Sequence, residues 1–229
     1  MEIINLTRLH PSISYLKTSL ILNFKDLKEI WLFNCCQGCQ QMMEKKTIKM
    51  SQISKIIITE LNIENISGLL GLLSSLSLIN RKKVLNIYGI KGLEKYLDFG
   101  KKYSQTKFRY NLYFHIFRTG FIAKNKNCYM YSVLNNIRFE FLLFSKEQYG
   151  KFYLNYAKKF NLVKGPLYGK LKKGYRLLLP DGFILDGNEF TDKNKTGYKK
   201  SLIICRYCAR NSTEISKESD ILQEELIIY

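Results

Sequence analysis

The sequence predicts an α+β domain in which two β-sheets pack together and helices lie outside them. Short apolar runs rich in β-branched and aromatic residues occur in both halves of the chain. Apolar stretches with helical spacing are interspersed among them. The 229 residues, 46% of them hydrophobic, can form one well-buried core. We therefore expect a single domain over residues 1–229, built as a sandwich of two sheets.

The apolar runs define the expected elements in chain order. β-branched and aromatic residues favour strands because they fit a pleated, half-buried surface. The predicted strands are residues 3–6, 20–24, 29–33, 53–58, 85–90, 108–117, 129–134, 138–144, 202–205 and 221–229. The predicted helices are residues 67–79, 93–103, 152–160 and a short segment near Glu214.

The loop between the strand at 53–58 and the helix that follows has the layout of a metal site. It concentrates polar side chains between two apolar elements. These polar residues are Glu60, Asn62, Glu64 and Asn65. Carboxylate and amide oxygens are the donor types that hard cations prefer, so this loop is the first candidate for chemistry.

The loop resembles that of ribonuclease Z, a family of the metallo-β-lactamase superfold. In that family it reads Thr-His-x-His-x-Asp-His-x-x-Gly-Leu-x-Gly-Leu-Leu and holds a zinc pair. The matching residues here are Thr59, Ser67, Gly68, Leu69, Gly71, Leu72 and Leu73. The family's His, His, Asp and His are replaced by Glu60, Asn62, Glu64 and Asn65. The resemblance implies an αββα sandwich whose metal ligands have been exchanged.

Other motifs follow in the family's order. Residues 31–40 resemble the family's Leu-Phe-Asp-Cys-Gly-Glu-Gly-Thr-Gln, and residues 85–92 resemble Leu-x-Ile-Tyr-Gly-Pro-x-Gly. The residues retained in the first of these are Phe33, Cys35, Gly38 and Gln40. Residues 165–174 are similar to the Gly-Pro-containing arm that grips tRNA. The ordered set covers the chain from about residue 18 onward.

The resemblance implies that the remaining metal-site positions are exchanged as well. The family's third His falls on Asn136, its bridging Asp on Tyr207 and a later His on Glu224. Its final segment is absent, which implies a C-terminally truncated homologue. The chain holds two histidines, His10 and His115, and neither lies in a motif. Because neutral imidazoles hold catalytic zinc, we expect no zinc cofactor, no catalytic residue and no hydrolysis.

Two alternatives would retain a metal. The seven exchanged positions all carry oxygen donors, so a hard cation could support an active, metal-dependent tRNA 3′-processing endoribonuclease. A structural zinc site is the second alternative, because a two-residue gap lets a pair of thiolates face one ion. Its ligands would be Cys36, Cys39, Cys205 and Cys208. We favour the simpler interpretation, in which these are buried free thiols.

The net charge of +18 predicts a polyanionic partner. Residues 151–176 hold eight basic residues, no acidic one and several aromatic rings, which is typical of RNA binding. We expect an arm at about residues 150–180 to contact tRNA or another RNA. The contact residues would be Lys164, Gly165, Pro166, Lys170, Lys172 and Lys173. A solvated lysine face and AT-rich codon usage are the competing explanations.

Composition also indicates the cellular location of the protein. Lys, Ile, Asn, Tyr and Phe abound while Ala occurs only at 123, 157 and 209, as expected of an AT-rich organelle genome. With the resemblance to red-algal plastid reading frames, this predicts a plastid-encoded protein of the chloroplast stroma. We expect no signal peptide and no membrane span.

The Leu-rich helix is either buried in the monomer or packed against a homodimer partner or an active homologue.

Overall fold

The computed structural model describes residues 1–6, 19–135, 138–194, 196–202 and 220–221, with the backbone alone at 135, 138, 220 and 221. The strands are β1 Glu2–Asn5, β2 Leu20–Phe24, β3 Glu29–Phe33, β4 Ile53–Ile58, β5 Leu85–Gly89, β6 Leu112–Ile116, β7 Gly120–Lys124, β8 Cys128–Asn135, β9 Arg138–Ser145, β10 Arg176–Leu178, β11 Ile184–Asp186, β12 Lys199–Leu202 and β13 Asp220–Ile221. The helices are α1 Cys39–Lys45, α2 Ile63–Ile66, α3 Leu69–Leu78, α4 Leu93–Ser104, α5 Leu154–Lys159 and α6 Pro166–Lys172.

The first sheet has the strand order β1-β2-β3-β4-β5-β6. Strands β3 to β6 run parallel, whereas β1 and β2 are antiparallel to their neighbours. Parallel strands are usually covered on both faces, so they consist of nearly continuous apolar runs. The run Ile56–Ile58 in β4 is fully buried and fits this rule. The parallel strands place the loops after β3, β4 and β5 along one edge of the sheet.

Helices α1, α3 and α4 cover one face of this sheet. In α3, Leu69, Leu72, Leu73 and Leu76 are fully buried, which is the i, i+3, i+4, i+7 spacing of a helix stripe that faces a core. The Tyr110 hydroxyl donates to the Leu73 carbonyl at 2.9 Å and so attaches the segment before β6 to this helix. The helix layer is therefore held by apolar contacts and by this buried hydrogen bond.

The second sheet, with the order β13-β12-β9-β8-β7, packs against the other face of the first. The ring of Phe33 from β3 lies 5.2 Å from that of Phe141 from β9. Met130 and Leu143 complete the contact and are fully buried. These inward-facing side chains alternate with outward-facing ones along β8 and β9. The domain is thus a sandwich of two sheets with helices outside the first.

A partly buried charged network joins β3 to β4. Glu29 Oε1 accepts from Trp31 Nε1 at 2.8 Å, from Ser54 Oγ at 2.7 Å and from Lys55 Nζ at 2.6 Å. The Lys55 ammonium also lies 4.6 Å from the centre of the Trp31 ring. Burial raises the pKa of Glu29, but the three hydrogen bonds outweigh burial, and the net result is a lowered pKa. The network therefore holds Glu29 as a carboxylate.

The predicted arm is part of a longer segment, residues 151–194, which has a small core of its own and is called the arm below. Ala157, Leu171, Leu185 and Phe190 are buried together, and the rings of Phe152, Tyr156, Phe160 and Tyr168 pack around them. Helix α5, helix α6 and strand β11 supply Ala157, Leu171 and Leu185, and the 3-10 turn after β11 supplies Phe190. A bridge between Phe152 and Thr191 closes the base of the arm. The arm is consequently a folded unit with its own apolar centre.

The structure confirms the strands predicted at 20–24, 29–33 and 53–58 and corrects several other boundaries. The predicted strand at 108–117 is wrong at its start, because Phe108 and Tyr110 turn into the helix-side core and pairing begins at Leu112. A strand is found at Lys199–Leu202, and residues 203–205 of the strand predicted at 202–205 lie outside the described residues. The helix near Glu214 lies outside the described residues. Of the described helices, none is long and apolar enough to cross a membrane.

Candidate functional site

The site begins where β3 and β4 end side by side. Thr59, which follows β4, donates to Asn34 Oδ1 from its backbone N–H at 2.9 Å and from its hydroxyl at 3.0 Å. The Asn34 N–H donates to the Ile57 carbonyl at 2.8 Å. Asn34 has a φ of 51°, a left-handed conformation that Asn adopts more readily than most residues. These bonds fix the start of the loop at the sheet edge.

Asn62 directs its side chain back into the loop. Its Oδ1 accepts from the Asn65 N–H at 3.0 Å, so that Asn62 is the N-cap of the short helix α2. Its Nδ2 donates to Glu60 Oε2 at 3.1 Å. Both polar atoms of the Asn62 side chain are therefore engaged within the loop, and one of the two loop carboxylates is held by it.

The end of the loop is clamped against the segment after β3. The Cys35 N–H donates to the Asn65 carbonyl at 2.7 Å, and the Gly68 N–H donates to the Cys35 carbonyl at 2.9 Å. A Cβ on Gly68 would lie 2.1 Å from the Cys36 carbonyl oxygen. Only glycine allows the two backbones to approach this closely. The Gly68 match noted in the sequence thus has a steric explanation.

The sequence-predicted donors differ in how accessible they are. Asn65 is 4% exposed, whereas Glu60 and Glu64 are half-buried and Asn62 is exposed. Among these four side chains, those of Asn62 and Glu60 contact each other. Across the described ranges, no group of three or more His, Cys, Asp or Glu side chains is arranged to hold a metal ion. Asn136, Tyr207 and Glu224 lie outside the described residues.

A pair of buried thiols lies beside the loop. Cys35 Sγ and Cys39 Sγ are 3.1 Å apart, and both residues are at most 1% exposed. Their contact raises the pKa of Cys35, with burial acting in the same direction, and lowers the pKa of Cys39. The sequence suggested Cys36 as the neighbour of Cys39, but the close contact is made by Cys35. Cys205 and Cys208 lie outside the described residues, so the tetracysteine alternative stays a prediction.

His115 is engaged with neighbouring strand residues. Its ring stacks on Tyr88 with the centroids 4.6 Å apart and the planes 20° apart. Its Nε2 lies 3.0 Å from Asn86 Oδ1. His115 thus has the structural environment that the sequence predicted for it. His10 lies outside the described residues.

The basic arm presents its charges to solvent. The following side chains of residues 151–176 are exposed: Lys151, Lys158, Lys159, Lys164, Lys170, Lys172, Lys173 and Arg176. Gly165 and Pro166, the start of α6, are exposed as well. Tyr153 and Tyr175 are 44% and 58% exposed. The other rings of residues 151–176 pack in the core of the arm, a structural role that the sequence did not predict.

The Leu-rich helix buries most of its apolar surface inside the chain. Leu70 packs against α4 so closely that a Cβ on Gly100 would lie 2.6 Å from Leu70 Cδ1. Leu78, at the end of α3, is 81% exposed, and Ile79 is 47% exposed. Of the two alternatives for this helix, burial in the monomer is found for most of its length, and packing against a partner stays a prediction. Its body is buried in the monomer, and an apolar end is left at the surface.

No family model matches the chain. Individual proteins do. It is 32% identical to ribonuclease Z of Acaryochloris marina over 221 residues, which cover 94% of this chain and 69% of that protein. The chain belongs to the ribonuclease Z family. Because that family has the metallo-β-lactamase fold, the predicted fold class is confirmed together with the family.

This ribonuclease Z family member is also similar to a red-algal protein and to a solved human structure. It is 38% identical to the uncharacterized protein ycf56 of Pyropia yezoensis over 197 residues, which cover 83% of this chain and 74% of that protein. The crystal structure of human tRNase Z, short form, is similar at 22% identity with a TM-score of 0.48, and the match covers 56% of this chain and 57% of that one. The chain therefore spans between about half and three quarters of the length of these proteins.

Proposed function

We propose that this chain is a plastid tRNA-binding member of the ribonuclease Z family that lacks two-zinc hydrolysis. One observation carries the proposal: polar groups of the loop after β4 are engaged within the loop, whereas the cations of the arm face solvent. The Asn62 contacts to Glu60 and to Asn65 are the clearest example of the first. On this proposal the arm cations bind RNA, and Asn62 with Glu60 serves to hold the loop.

The chemistry of the loop donors supports the loss of zinc. A catalytic zinc pair is held by neutral nitrogen ligands together with carboxylates, and the bound ion lowers the pKa of its water so that hydroxide forms near neutral pH. The loop offers two carboxylates and two amides, and the full sequence has two histidines. These donors do not fit a zinc pair. Without the activated hydroxide, phosphodiester cleavage would be slower by orders of magnitude.

The arm supports RNA binding through its charge. Lys170, Lys172 and Lys173 lie at the end of α6, where cations also interact favourably with the helix dipole. All three side chains are exposed, so their ammonium groups can contact phosphates without a rearrangement of the protein. Each phosphate contact releases counterions, so binding should weaken steeply as salt is raised. A second copy or an active homologue at its side would let the arm present RNA to another site.

The test is the affinity of the full chain for tRNA with and without these lysines. We expect Lys170→Gln, Lys172→Gln and Lys173→Gln together to weaken binding at least tenfold at about 50 mM salt and to reduce the slope of log K against log salt by about 2 to 3. Fluorescence anisotropy at several salt concentrations measures both quantities.

A matched control removes the same charge elsewhere. Lys95, Lys102 and Lys107 are exposed on and after α4, and their replacement by Gln should change the affinity by less than about threefold. Equal losses in both triple variants would show that the net charge, and not the arm, attracts RNA. Absence of salt-dependent tRNA binding in the unaltered chain would reject the binding function.

The second candidate function is hydrolysis with a hard cation. It is favoured by the two carboxylates of the loop, Glu60 and Glu64, because Mg²⁺ prefers oxygen ligands. This candidate requires cleavage of a 3′-extended tRNA precursor that depends on added Mg²⁺ or Mn²⁺. The cleavage must disappear in the Glu60→Ala, Glu64→Ala double variant.

A further inference from the structure

The outer face of the second sheet carries ordered rows of aromatic and basic side chains. Because Met130, Phe141 and Leu143 face the core between the sheets, their neighbours along β8 and β9 must point outward. Strand register places the outward residues in rows. One row across four strands is Lys124, Tyr129, Phe144 and Lys199, and the next contains Phe121, Tyr131 and Leu142.

The rings in these rows contact each other edge to face. The Tyr131 ring lies 5.6 Å from Phe121 and 5.5 Å from Phe144, with interplanar angles of 72° and 90°. Phe121 is 53% exposed and Tyr131 is 37% exposed. Rings that are held by neighbours lose little side-chain freedom when a ligand stacks on them. The rows therefore form a preorganised aromatic surface, and a shallow groove runs over it.

Cations lie against the same rings. The Lys146 ammonium is 5.0 Å from the centre of the Tyr129 ring, and the Lys199 ammonium is 5.9 Å from that of Phe144. Lys124 is exposed at the edge strand. Glu140 faces the same side one row further along, but it is 4% exposed. The surface that a ligand would meet is therefore aromatic at its centre and positive at its margins.

We propose that this sheet face binds an unpaired segment of RNA, independently of the basic arm. Aromatic rings stack on base faces of any sequence, and lysines at the margins neutralise the adjoining phosphates. Sheet faces with exposed aromatic residues stack about two or three unpaired bases in known RNA-binding modules. Lysine is depleted in protein–protein interfaces, so its presence within an aromatic row favours a polyanion over a protein partner.

The test compares binding of a short unstructured RNA oligonucleotide to the full chain and to its variants by fluorescence anisotropy. Phe121→Ala with Tyr131→Ala should weaken binding at least about tenfold, because each lost stack removes a substantial share of the affinity. Phe121→Tyr with Tyr131→Phe retains both rings and should bind within about threefold of the unaltered chain. Binding of a fully double-stranded RNA should not change in either variant.

A control pair and a direct measurement make the result specific. Phe99 and Tyr103 on α4 are 58% and 79% exposed, and replacing both by Ala should leave oligonucleotide binding unchanged. Photo-crosslinking of a 4-thiouridine oligonucleotide to the unaltered chain should label the peptides that contain Phe121, Tyr129 and Tyr131.

Three outcomes would overturn the proposal. The first is unchanged oligonucleotide binding in the Phe121→Ala, Tyr131→Ala variant. The second is crosslinks confined to residues 151–176. The third is a dimer that this variant converts to monomer without losing RNA binding, which would make the face a contact between two copies. The arm variants described above report on tRNA binding separately, so either proposal can fail alone.

Discussion

The loop after β4 and the basic arm use polar residues in opposite ways. In the loop, Asn62 binds Glu60 and caps α2, and the Asn65 carbonyl accepts from Cys35. In the arm, every basic residue of 151–176 is exposed. Polar residues at positions that match the family therefore have different structural settings in the two regions. The loop uses its polar groups to close the edge of a sheet, and the arm leaves its cations exposed to solvent.

The largest expected effect tests whether the loop is clamped. Gly68→Ala would place a Cβ 2.1 Å from the Cys36 carbonyl oxygen, so the backbone must move. We expect the free energy of unfolding to fall by about 3 kcal/mol, as for other overpacked sites. Chemical denaturation of the full chain measures this change.

Gly169→Ala in α6 is the matched control from the arm. No atom lies within 4 Å of the added Cβ, and alanine favours helix, so this variant should be more stable by about 0.5 to 1 kcal/mol. If Gly68→Ala were as stable as the unaltered chain, the loop would be free to shift and the contrast with the arm would disappear.

The second effect contrasts internal and external charge within the first sheet. The side chains of Lys55 and Glu29 are 12% and 19% exposed, whereas those of Lys25 and Glu2 are 71% and 46% exposed. Lys55→Met should lower the free energy of unfolding by about 2 to 3 kcal/mol, because it leaves a largely buried carboxylate without its cation. Lys25→Met should change it by less than about 0.5 kcal/mol.

The Lys55–Glu29 pair also predicts that the free energy of unfolding depends on pH. The pKa of Glu29 is lowered in the folded chain, so its contribution to stability is present above the ordinary value of 4.5 and is lost as the pH falls through the lowered pKa. The difference between Lys55→Met and the unaltered chain should therefore narrow as the pH is lowered from about 7 to about 3. A difference that stays constant over this range would mean that Glu29 is not the partner that matters.

The smallest effect concerns the cap of α2. Asn62→Ala removes the acceptor for the Asn65 N–H and should cost about 1 kcal/mol. Asn62→Asp keeps an acceptor at the helix start and should cost less. Thermal unfolding of both variants measures the difference. Equal losses would indicate that the side chain acts through Glu60 and not through the cap.

Much of the first sheet could be predicted from the sequence. The apolar run Ile56–Ile58 is fully buried, so its composition reports directly on a strand that is covered on both faces. Strand β7 was missed because it begins at a glycine and its register shifts between Phe121 and Ala123, which interrupts the alternation. Helix α1 was missed because it is short and contains several Gln, Glu and Lys residues. Only two of its side chains, Cys39 and Met43, are buried, so it has no clear apolar stripe.

The candidate site was predictable in its position and less so in its contacts. The place of the loop directly after β4 was predictable because the β-branched run before it marks the strand. The cap by Asn62 had a local signal, since Asn is a preferred N-cap, but its bond to Glu60 had none. The Cys35–Cys39 contact depends on how α1 packs under the loop, and spacing alone suggested Cys36. Contacts between distant segments required the fold.

The measurement that tests the account most directly combines metal content with cleavage. The full chain, purified without chelators, should contain no stoichiometric zinc when analysed by mass spectrometry. It should also cleave a 3′-extended tRNA precursor no faster than the Glu60→Ala, Glu64→Ala variant prepared in parallel. Two tightly bound zinc ions per chain, together with cleavage that this variant lacks, would contradict the account.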